Sequence, residues 1–249
     1  MHRLCLFLVW VCVGIMLAGR MLGPSDILHQ TQPRTVCYTA DIIDNGRWIL
    51  PRYSNGEPAT KPPLYNWLSV PLIRITGVWD DWMLRFPAIV MFCITLAATL
   101  WMARWLAERC GATGDEHDPV LTESQRDMAT LTAGCAMIVY PMSVMIYYAR
   151  PDMPLIACLT GAWILGTLTL EETCEKRGLK AMALWLCVGL ATLAKGPAAI
   201  VVVVYLLLAS RLIHGRWGSI NRTGWWWGLP LALGMFAAWI VPAAVLDPE

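Results

Sequence analysis

The most unusual charged residue in this chain is Lys195, which interrupts an apolar run from Ala181 to Leu208. An ammonium at bilayer depth costs about 2.5–3.5 kcal/mol on insertion scales, so a chain that keeps one usually supplies a partner for it, often an anion. Gly196-Pro197 follows directly and predicts the end of a helix, because proline lacks the backbone N–H that a helix interior needs. Two spans therefore meet at Lys195, near a membrane face. The alternative is a lysine that only extends its side chain to the interface.

Other charged residues lie beside residues that fix the backbone. Lys61 precedes Pro62-Pro63, which restrict the chain and so determine where the lysine points. Arg150, Pro151 and Asp152 form a tight turn between two apolar segments. Simpler interpretations remain open for both sites: Lys61 as a lysine that contacts lipid headgroups, and Asp152 as a helix cap paired with Arg150.

The composition is that of an integral membrane protein. Hydrophobic residues make up 57% of the 249 residues and charged residues 15%, whereas soluble domains are about a quarter charged. The mean hydropathy is +0.52. The net charge is +1 and the chain has no basic run or nucleic-acid motif, so no nucleic-acid partner is expected.

Seven apolar segments predict an all-α membrane protein, a bundle of about seven transmembrane helices. The segments are residues 4–22, 86–106, 128–148, 153–170, 181–193, 198–212 and 225–245. Several are shorter than the roughly 20 residues that a perpendicular span needs, so we expect tilted helices or ends displaced by a few residues.

The orientation follows from the basic residues of the short loops. With the N-terminus in the cytoplasm, ten basic residues lie on the cytoplasmic side, and only Arg150 and Lys195 lie in the short outer turns. We therefore expect a multi-pass protein of the plasma (inner) membrane with the 23–85 loop outside. That loop and both outer turns share the extracytoplasmic face, where their charges could build one site.

The outer loop, residues 23–85, has the pattern of juxtamembrane helices. Residues 35–45 predict a short helix with Asp41 on its exposed side. From Leu64 onward the apolar residues fall near helical spacing, with an interruption at Pro71. This second segment predicts a helix that lies on the membrane surface.

Five motifs together resemble, in order, the N-terminal half of a known enzyme family. They are Asn45-Gly46-Arg-Trp48-Ile-Leu-Pro51-Arg52-Tyr53, Lys61-Pro-Pro-Leu-Tyr65-Asn-Trp67-Leu68, Arg85-Phe-Pro87-Ala88, Asp152-Met-Pro-Leu155 and Leu193-Ala-Lys195-Gly-Pro197. The family is that of the polyprenyl-phosphate-sugar-dependent membrane glycosyltransferases, related to the aminoarabinose transferases of lipid A and to the protein O-mannosyltransferases. The resemblance is a strong signal for the family and a weak one for the substrate.

The resemblance implies a GT-C fold, in which transmembrane helices carry juxtamembrane helices of the first outer loop above a cavity. Such enzymes pass a sugar from a polyprenyl phosphate in the membrane to an extracytoplasmic lipid, glycan or protein. Fixed cations would stabilise the charge that develops on the departing phosphate, and no nucleotide or other cofactor is needed. Lys61 and Lys195 are the first candidates for this role, followed by Arg150. Arg34, which keeps a basic position of the family, and Tyr65 are further candidate substrate contacts.

The chain departs from the family at the expected base. Relatives carry an Asp-Glu pair fifteen and fourteen residues before the Gly-x-Trp motif, where this chain has Thr31 and Gln32. An acceptor hydroxyl or amine still needs a carboxylate within reach. Asp152 is the best remaining candidate, and Asp26 or Asp41 would serve only if the loop were shifted or its helix turned inward.

Two further differences limit the resemblance. Thr60 stands where some aminoarabinose transferases have a metal-binding glutamate, so no metal is expected. Relatives are about twice as long, so the sequence is interpreted as residues 1–249 of the N-terminal part of a longer enzyme, a fragment or a truncated product. The alternative is a catalytically inactive member that binds a lipid phosphate or a membrane partner. A small transporter is disfavoured, because the chain lacks paired broken helices in repeated halves.

Overall fold

All regular elements in the described part of the chain are helices. In the computed structural model, the described residues are 2–22, 32–110, 123–138, 145 and 148–247. The α-helices are α1 (His2–Leu22), α2 (Gln32–Asn45), α3 (Leu64–Thr76), α4 (Asp81–Cys110), α5 (Glu123–Ile138), α6 (Asp152–Leu170), α7 (Arg177–Lys195), α8 (Ile200–Leu212) and α9 (Trp225–Leu246). Two 3-10 helices, Gly196–Ala199 and Trp217–Thr223, flank α8.

Four of these helices are long and apolar enough to cross a membrane, so the chain is a multi-pass membrane protein. They are Asp81–Arg109 within α4, and the whole of α6, α7 and α9. Shorter apolar helices occupy Phe7–Gly19 in α1 and Ile200–Leu212. The predicted class, a multi-span helical bundle, is confirmed.

The division into seven spans stays a prediction. The expected third span, residues 128–148, begins inside α5, and much of its second half falls outside the described residues.

The core consists of apolar side chains from helices that are neighbours in sequence. One cluster joins α6 to α9, where Trp185, Leu184 and Leu206 are fully buried. A second cluster surrounds Phe92 and Leu96 of α4. Since lipid is as apolar as these side chains, close packing rather than the hydrophobic effect holds the helices together.

Two spans, α7 and α9, come into close contact at Gly228. Trp185 of α7 lies against Gly228 of α9, and its indole N–H donates to the carbonyl of Thr223 at 2.8 Å. A methyl group on Gly228 would overlap the Trp185 ring. The absent side chain therefore permits this contact.

We expect Gly228→Ala to lower the free energy of unfolding by about 1–3 kcal/mol, because the Trp185 ring must leave its position. Thermal unfolding in detergent would measure the loss. Gly234→Ala, in the same helix, is the matched control, since nothing lies within 4 Å of a methyl group there. Equal stabilities of the two variants would contradict the proposed close packing.

Two helices of the first outer loop are present as predicted, with different ends. Helix α2 begins at Gln32, three residues before the predicted start. Helix α3 continues through Pro71, so the expected interruption is wrong. Proline removes one hydrogen bond from a helix, and at the exposed Pro71 this loss does not end α3. Gly77 ends the helix with a φ of 66°, a left-handed conformation that suits glycine.

The spans have two distinct ends. Helix α6 begins at Asp152 and α7 ends at Lys195, so these charges share what we call the Lys195 end. Both helices have 19 residues and are therefore about 28 Å long. We call their opposite end, where α7 begins, the Arg177 end. At the Arg177 end, Arg109 of α4 pairs with Glu171 at 2.6 Å. The two ends thus carry separate sets of charges, and which end faces the cytoplasm stays a prediction.

Candidate active site at the Lys195 end

Helices α2 and α3 are held together by a buried amide. Asn66 of α3 donates from Nδ2 to the carbonyl of Thr35 at 2.9 Å and to Oγ1 of Thr39 at 2.8 Å. The Tyr65 hydroxyl donates to the carbonyl of Leu84 at 2.6 Å, which fixes α3 to α4. These bonds give the outer loop a defined position above the spans.

The segment before α3 is fixed as well. Residues 51–59 form a small hairpin in which the N–H of Ala59 donates to the carbonyl of Pro51 at 2.9 Å. The Trp67 indole N–H donates to the carbonyl of Trp48 at 2.7 Å. Lys61 lies two residues after this hairpin and three before α3, so ordered elements flank it on both sides.

Arg34 and Lys61 line the same pocket, which has a volume of about 60 Å³. Its walls, here called the Lys61 pocket, are Arg34, Thr35, Tyr38, Thr60, Lys61, Pro62, Tyr65, Asn66 and Pro151. Both cations are exposed, and neither forms a hydrogen bond or an ion pair within the described residues. Among the described residues, the pocket thus presents two positive charges from two different elements, an arrangement that suits an anion.

Two tyrosines complete the wall. Tyr38 lies one helical turn after Arg34. Burial raises the pKa of Tyr38 above its usual value, although the nearby Arg34 acts in the opposite direction. Burial likewise raises the pKa of Tyr65. Both phenols are therefore neutral at physiological pH. The Tyr65 hydroxyl already donates to the carbonyl of Leu84, so Tyr38 is the one of the two tyrosines that can donate to a ligand.

Gln32, which stands where the resemblance predicts the glutamate of the Asp-Glu pair, connects the outer loop to the turn before α6. Gln32 is fully buried, and its Oε1 accepts a hydrogen bond from the N–H of Ala149 at 3.3 Å. Pro151, two residues after Ala149, forms part of the Lys61 pocket. Gln32 therefore helps to bring the α6 turn to the pocket.

Asp152 and Lys195 form an ion pair across α6 and α7. The Lys195 Nζ lies 2.5 Å from Oδ1 of Asp152. The Asp152 side chain is 16% exposed and that of Lys195 42%, so the pair is only partly in water. Lys195 thus has the anionic partner expected of a charge at membrane depth, and its charge is balanced within the protein.

The same pair leaves one carboxylate oxygen available. Oδ1 of Asp152 binds Lys195, whereas Oδ2 forms no hydrogen bond in the part of the chain that the structure describes. Lys195 ends α7, and Gly196 then takes a φ of 70°, which confirms the predicted helix end. Asp152 is therefore the carboxylate that the structure brings to the neighbourhood of Pro151 and the Lys61 pocket.

Arg150 lies in the same turn and stacks on an aromatic ring. Its guanidinium carbon is 4.6 Å from the centre of the Tyr148 ring, a cation–π contact. The turn thus carries Arg150 and Asp152 on either side of Pro151, close to the pocket wall.

The other two predicted bases are Asp26 and Asp41. Asp26 lies outside the described residues. Asp41 was expected on the exposed side of its helix, and that placement is wrong, because its side chain is 9% exposed. Its carboxylate accepts from Asn45 Nδ2 at 2.7 Å, from Arg47 Nη1 at 3.2 Å and from the Arg52 N–H at 2.7 Å. Asp41 organises the loop after α2 and does not line the Lys61 pocket.

We expect Asp41→Asn to lower the free energy of unfolding by about 1–3 kcal/mol, because the amide loses the Arg47 ion pair and cannot accept every existing bond. Thermal unfolding in detergent would measure it, and trypsin should then cleave faster at Arg47 and Arg52. Asp44→Asn is the matched control, since Asp44 is exposed on the same helix. A difference of less than a few tenths of a kcal/mol between the variants would contradict this role.

The similarity of this chain to known proteins lies in its structure rather than in its sequence. The sequence matches no family model and no curated protein. The structure is similar to ArnT from Cupriavidus metallidurans bound to undecaprenyl phosphate, with a TM-score of 0.69 and 21% identity. It is also similar to the apo state of that protein, with a TM-score of 0.70 and 22% identity. The chain has the ArnT fold. The GT-C architecture predicted from the motifs is thereby confirmed.

The match covers nearly all of this chain but less than half of the ArnT chain. It covers 97% of this chain and 42% of the ArnT chain, so the chain spans about two fifths of its structural neighbour. The expectation of a partial match is therefore confirmed at the level of the fold.

The sequence predicted the charged residues of the site and Tyr65, but not the other neutral residues. It identified Lys61, Arg34 and Asp152, which the structure brings to one end. It missed Tyr38, although a tyrosine one turn from Arg34 was a usable signal. Gln32 was noted only as a missing acid, and no sequence signal predicts its bond to Ala149.

Proposed function

We propose that the chain is the N-terminal part of a membrane glycosyltransferase that takes a sugar from a polyprenyl phosphate and passes it to an acceptor. The convergence of Arg34 and Lys61 on one pocket is the observation that carries this proposal. The ArnT fold supports it, since ArnT has been captured with undecaprenyl phosphate. A lipid phosphate is an anion, and both cations are exposed and could reach it.

The charges of the site suit each step of such a transfer. As the bond between the sugar's anomeric carbon and the phosphate oxygen breaks, negative charge grows on that oxygen. Lys61 and Arg34 would stabilise it electrostatically. The acceptor hydroxyl or amine forms the new bond to the anomeric carbon and releases a proton. Oδ2 of Asp152 is the proposed proton acceptor, while Lys195 holds the carboxylate in place.

The proposed orientation places the site outside the cytoplasm. Basic residues of short loops concentrate at the Arg177 end, which the positive-inside rule assigns to the cytoplasm. The Lys195 end then faces the extracytoplasmic side of the plasma (inner) membrane, where the acceptor would be a lipid, a glycan or a protein.

A second function is favoured by the neutral amide of Gln32. This residue stands where relatives have a carboxylate, and its Oε1 accepts a backbone hydrogen bond. A chain with these properties would bind a polyprenyl phosphate without transferring a sugar. Carrier binding is common to both proposals, and turnover distinguishes them.

The decisive experiment uses the purified chain in nanodiscs, with a radiolabelled polyprenyl-phosphate sugar and a panel of acceptor lipids, glycans and peptides. Transfer of label to an acceptor supports the transferase. Saturable binding of the carrier without transfer across the whole panel supports the binding protein. Failure to bind any polyprenyl phosphate would reject both functions.

A further inference from the structure

The Arg177 end contains an open pocket of about 460 Å³ that the proposed reaction does not use. Its walls come from the first turns of α7 and α9 and from the 3-10 helix before α9. Arg177 and Arg222 contribute the charge, Asn221 a polar amide, and Trp226 and Trp227 the aromatic surface. The volume lies within the range of small-ligand sites.

Both arginines are held in place by backbone carbonyls. Arg177 donates from Nη2 to the carbonyls of Glu171 at 2.7 Å and Glu172 at 2.8 Å. Arg222 donates from Nη1 to the carbonyl of Leu170 at 2.8 Å. Because carbonyls carry no formal charge, Arg177 keeps its full positive charge, and its Nη1 forms no hydrogen bond within the described residues.

One carboxylate offsets part of this charge. Arg222 donates from Nη2 to Oε1 of Glu172 at 3.0 Å. That hydrogen bond lowers the pKa of Glu172, and the charges of Arg222, Arg216 and His214 act in the same direction. The residues that line the pocket include two arginines and no acid, so the lining itself is positive.

Exposed tryptophans place the pocket at the depth of lipid headgroups. Trp226 is 68% exposed at its rim. Trp225 is also exposed, and its indole N–H donates to Oδ1 of Asn221 at 2.8 Å. Tryptophan collects at membrane–water interfaces because its ring is apolar while its N–H seeks a polar partner.

Apolar surface continues from the pocket along α9. Leu233 is exposed seven residues after Trp226, which places both on the same face of that helix. A ligand with a negative head and hydrocarbon tails would match both the charged pocket and this face. A small water-soluble anion would match the pocket alone.

We propose that this pocket binds the headgroup of an anionic phospholipid, whose phosphate contacts Arg177 and Arg222 and whose chains lie along α9. The site is about 28 Å from the Lys61 pocket by the length of α7 and is separate from the proposed carrier site. It does not depend on the glycosyltransferase proposal.

The test is the retention of phosphatidylglycerol by the purified chain, released from nanodiscs of phosphatidylcholine with a minor fraction of phosphatidylglycerol and analysed by native mass spectrometry. Asn221→Asp is the sharpest variant, since it keeps the oxygen that accepts from Trp225 and adds a negative charge to the pocket. We expect it to lower phosphatidylglycerol retention about fivefold, the effect of roughly one charge near a membrane surface. Arg177→Gln should act in the same direction.

Arg211→Gln is the matched control, since Arg211 donates to the carbonyl of Gly215 at 3.3 Å and does not line the pocket. It should retain phosphatidylglycerol like the unmodified chain. Equal retention by Asn221→Asp and the unmodified chain would overturn the proposal. So would an equal loss in Arg211→Gln, which would indicate diffuse surface attraction. Displacement of the lipid by inorganic phosphate alone would overturn it too, in favour of a site for a soluble anion.

Discussion

Lys61→Met is expected to weaken binding of a polyprenyl phosphate by about 10–100-fold. This range corresponds to the loss of one charge-assisted hydrogen bond, about 1.5–3 kcal/mol. Methionine keeps the length and the apolar stem of lysine and removes only the charge. The measurement is a titration of the purified chain in detergent with a short-chain polyprenyl phosphate, followed by tryptophan fluorescence.

Two controls make this result specific. The uncharged polyprenol should bind Lys61→Met and the unmodified chain equally, because it carries no phosphate for the lysine to contact. Lys180→Met, which removes a lysine at the Arg177 end, should leave polyprenyl-phosphate binding unchanged. If Lys61→Met binds the phosphate normally, Lys61 is an ordinary surface lysine that contacts lipid headgroups.

Arg34 provides an internal check on the same site. Arg34→Gln should weaken binding in the same direction, since both cations line one pocket. The effects of the two substitutions should not add fully in the double variant, because the residues would contact a common phosphate. Full additivity would indicate two separate binding sites and would contradict a shared pocket.

The features predicted well from sequence are those set by neighbouring residues. The end of α7 follows from Gly196-Pro197, and α3 follows from apolar spacing after Pro63. The failure at Pro71 has a local cause too, because one exposed proline costs a helix a bond without forcing it to end.

The features predicted poorly depend on contacts between distant segments. Sequence reasoning considered Arg150 as the partner of Asp152 because it is nearby, whereas the structure shows Lys195, 43 residues away, paired with it. Asp41 was misplaced for the same reason, since its burial depends on the backbone of Arg52 returning to it after 11 residues. Helical periodicity predicts which face of a helix a residue occupies. It does not predict which distant segment of the chain packs on that face.

The Asp152–Lys195 pair combines a structural role with a proposed catalytic one, and a double-mutant cycle separates them. Asp152→Asn leaves an ammonium near the bilayer without its counter-ion, and Lys195→Met leaves a carboxylate. Removing one partner of a buried pair costs about 3–5 kcal/mol. Because the Lys195 side chain is 42% exposed, water screens the pair, and we expect about 1–3 kcal/mol for each single variant.

The double variant Asp152→Asn, Lys195→Met removes both charges and should regain stability to within about 1 kcal/mol of the unmodified chain. Thermal unfolding in detergent gives the four stabilities of the cycle. Sugar transfer by the same four proteins gives the second readout, and there the double variant should remain inactive because no carboxylate is left to accept the proton. A stable double variant that regains transfer would mean that Asp152 only balances Lys195, and the base would then have to lie elsewhere. A double variant no more stable than the single variants would show that the ion pair itself, rather than the avoidance of an unpaired charge, holds α6 and α7 together.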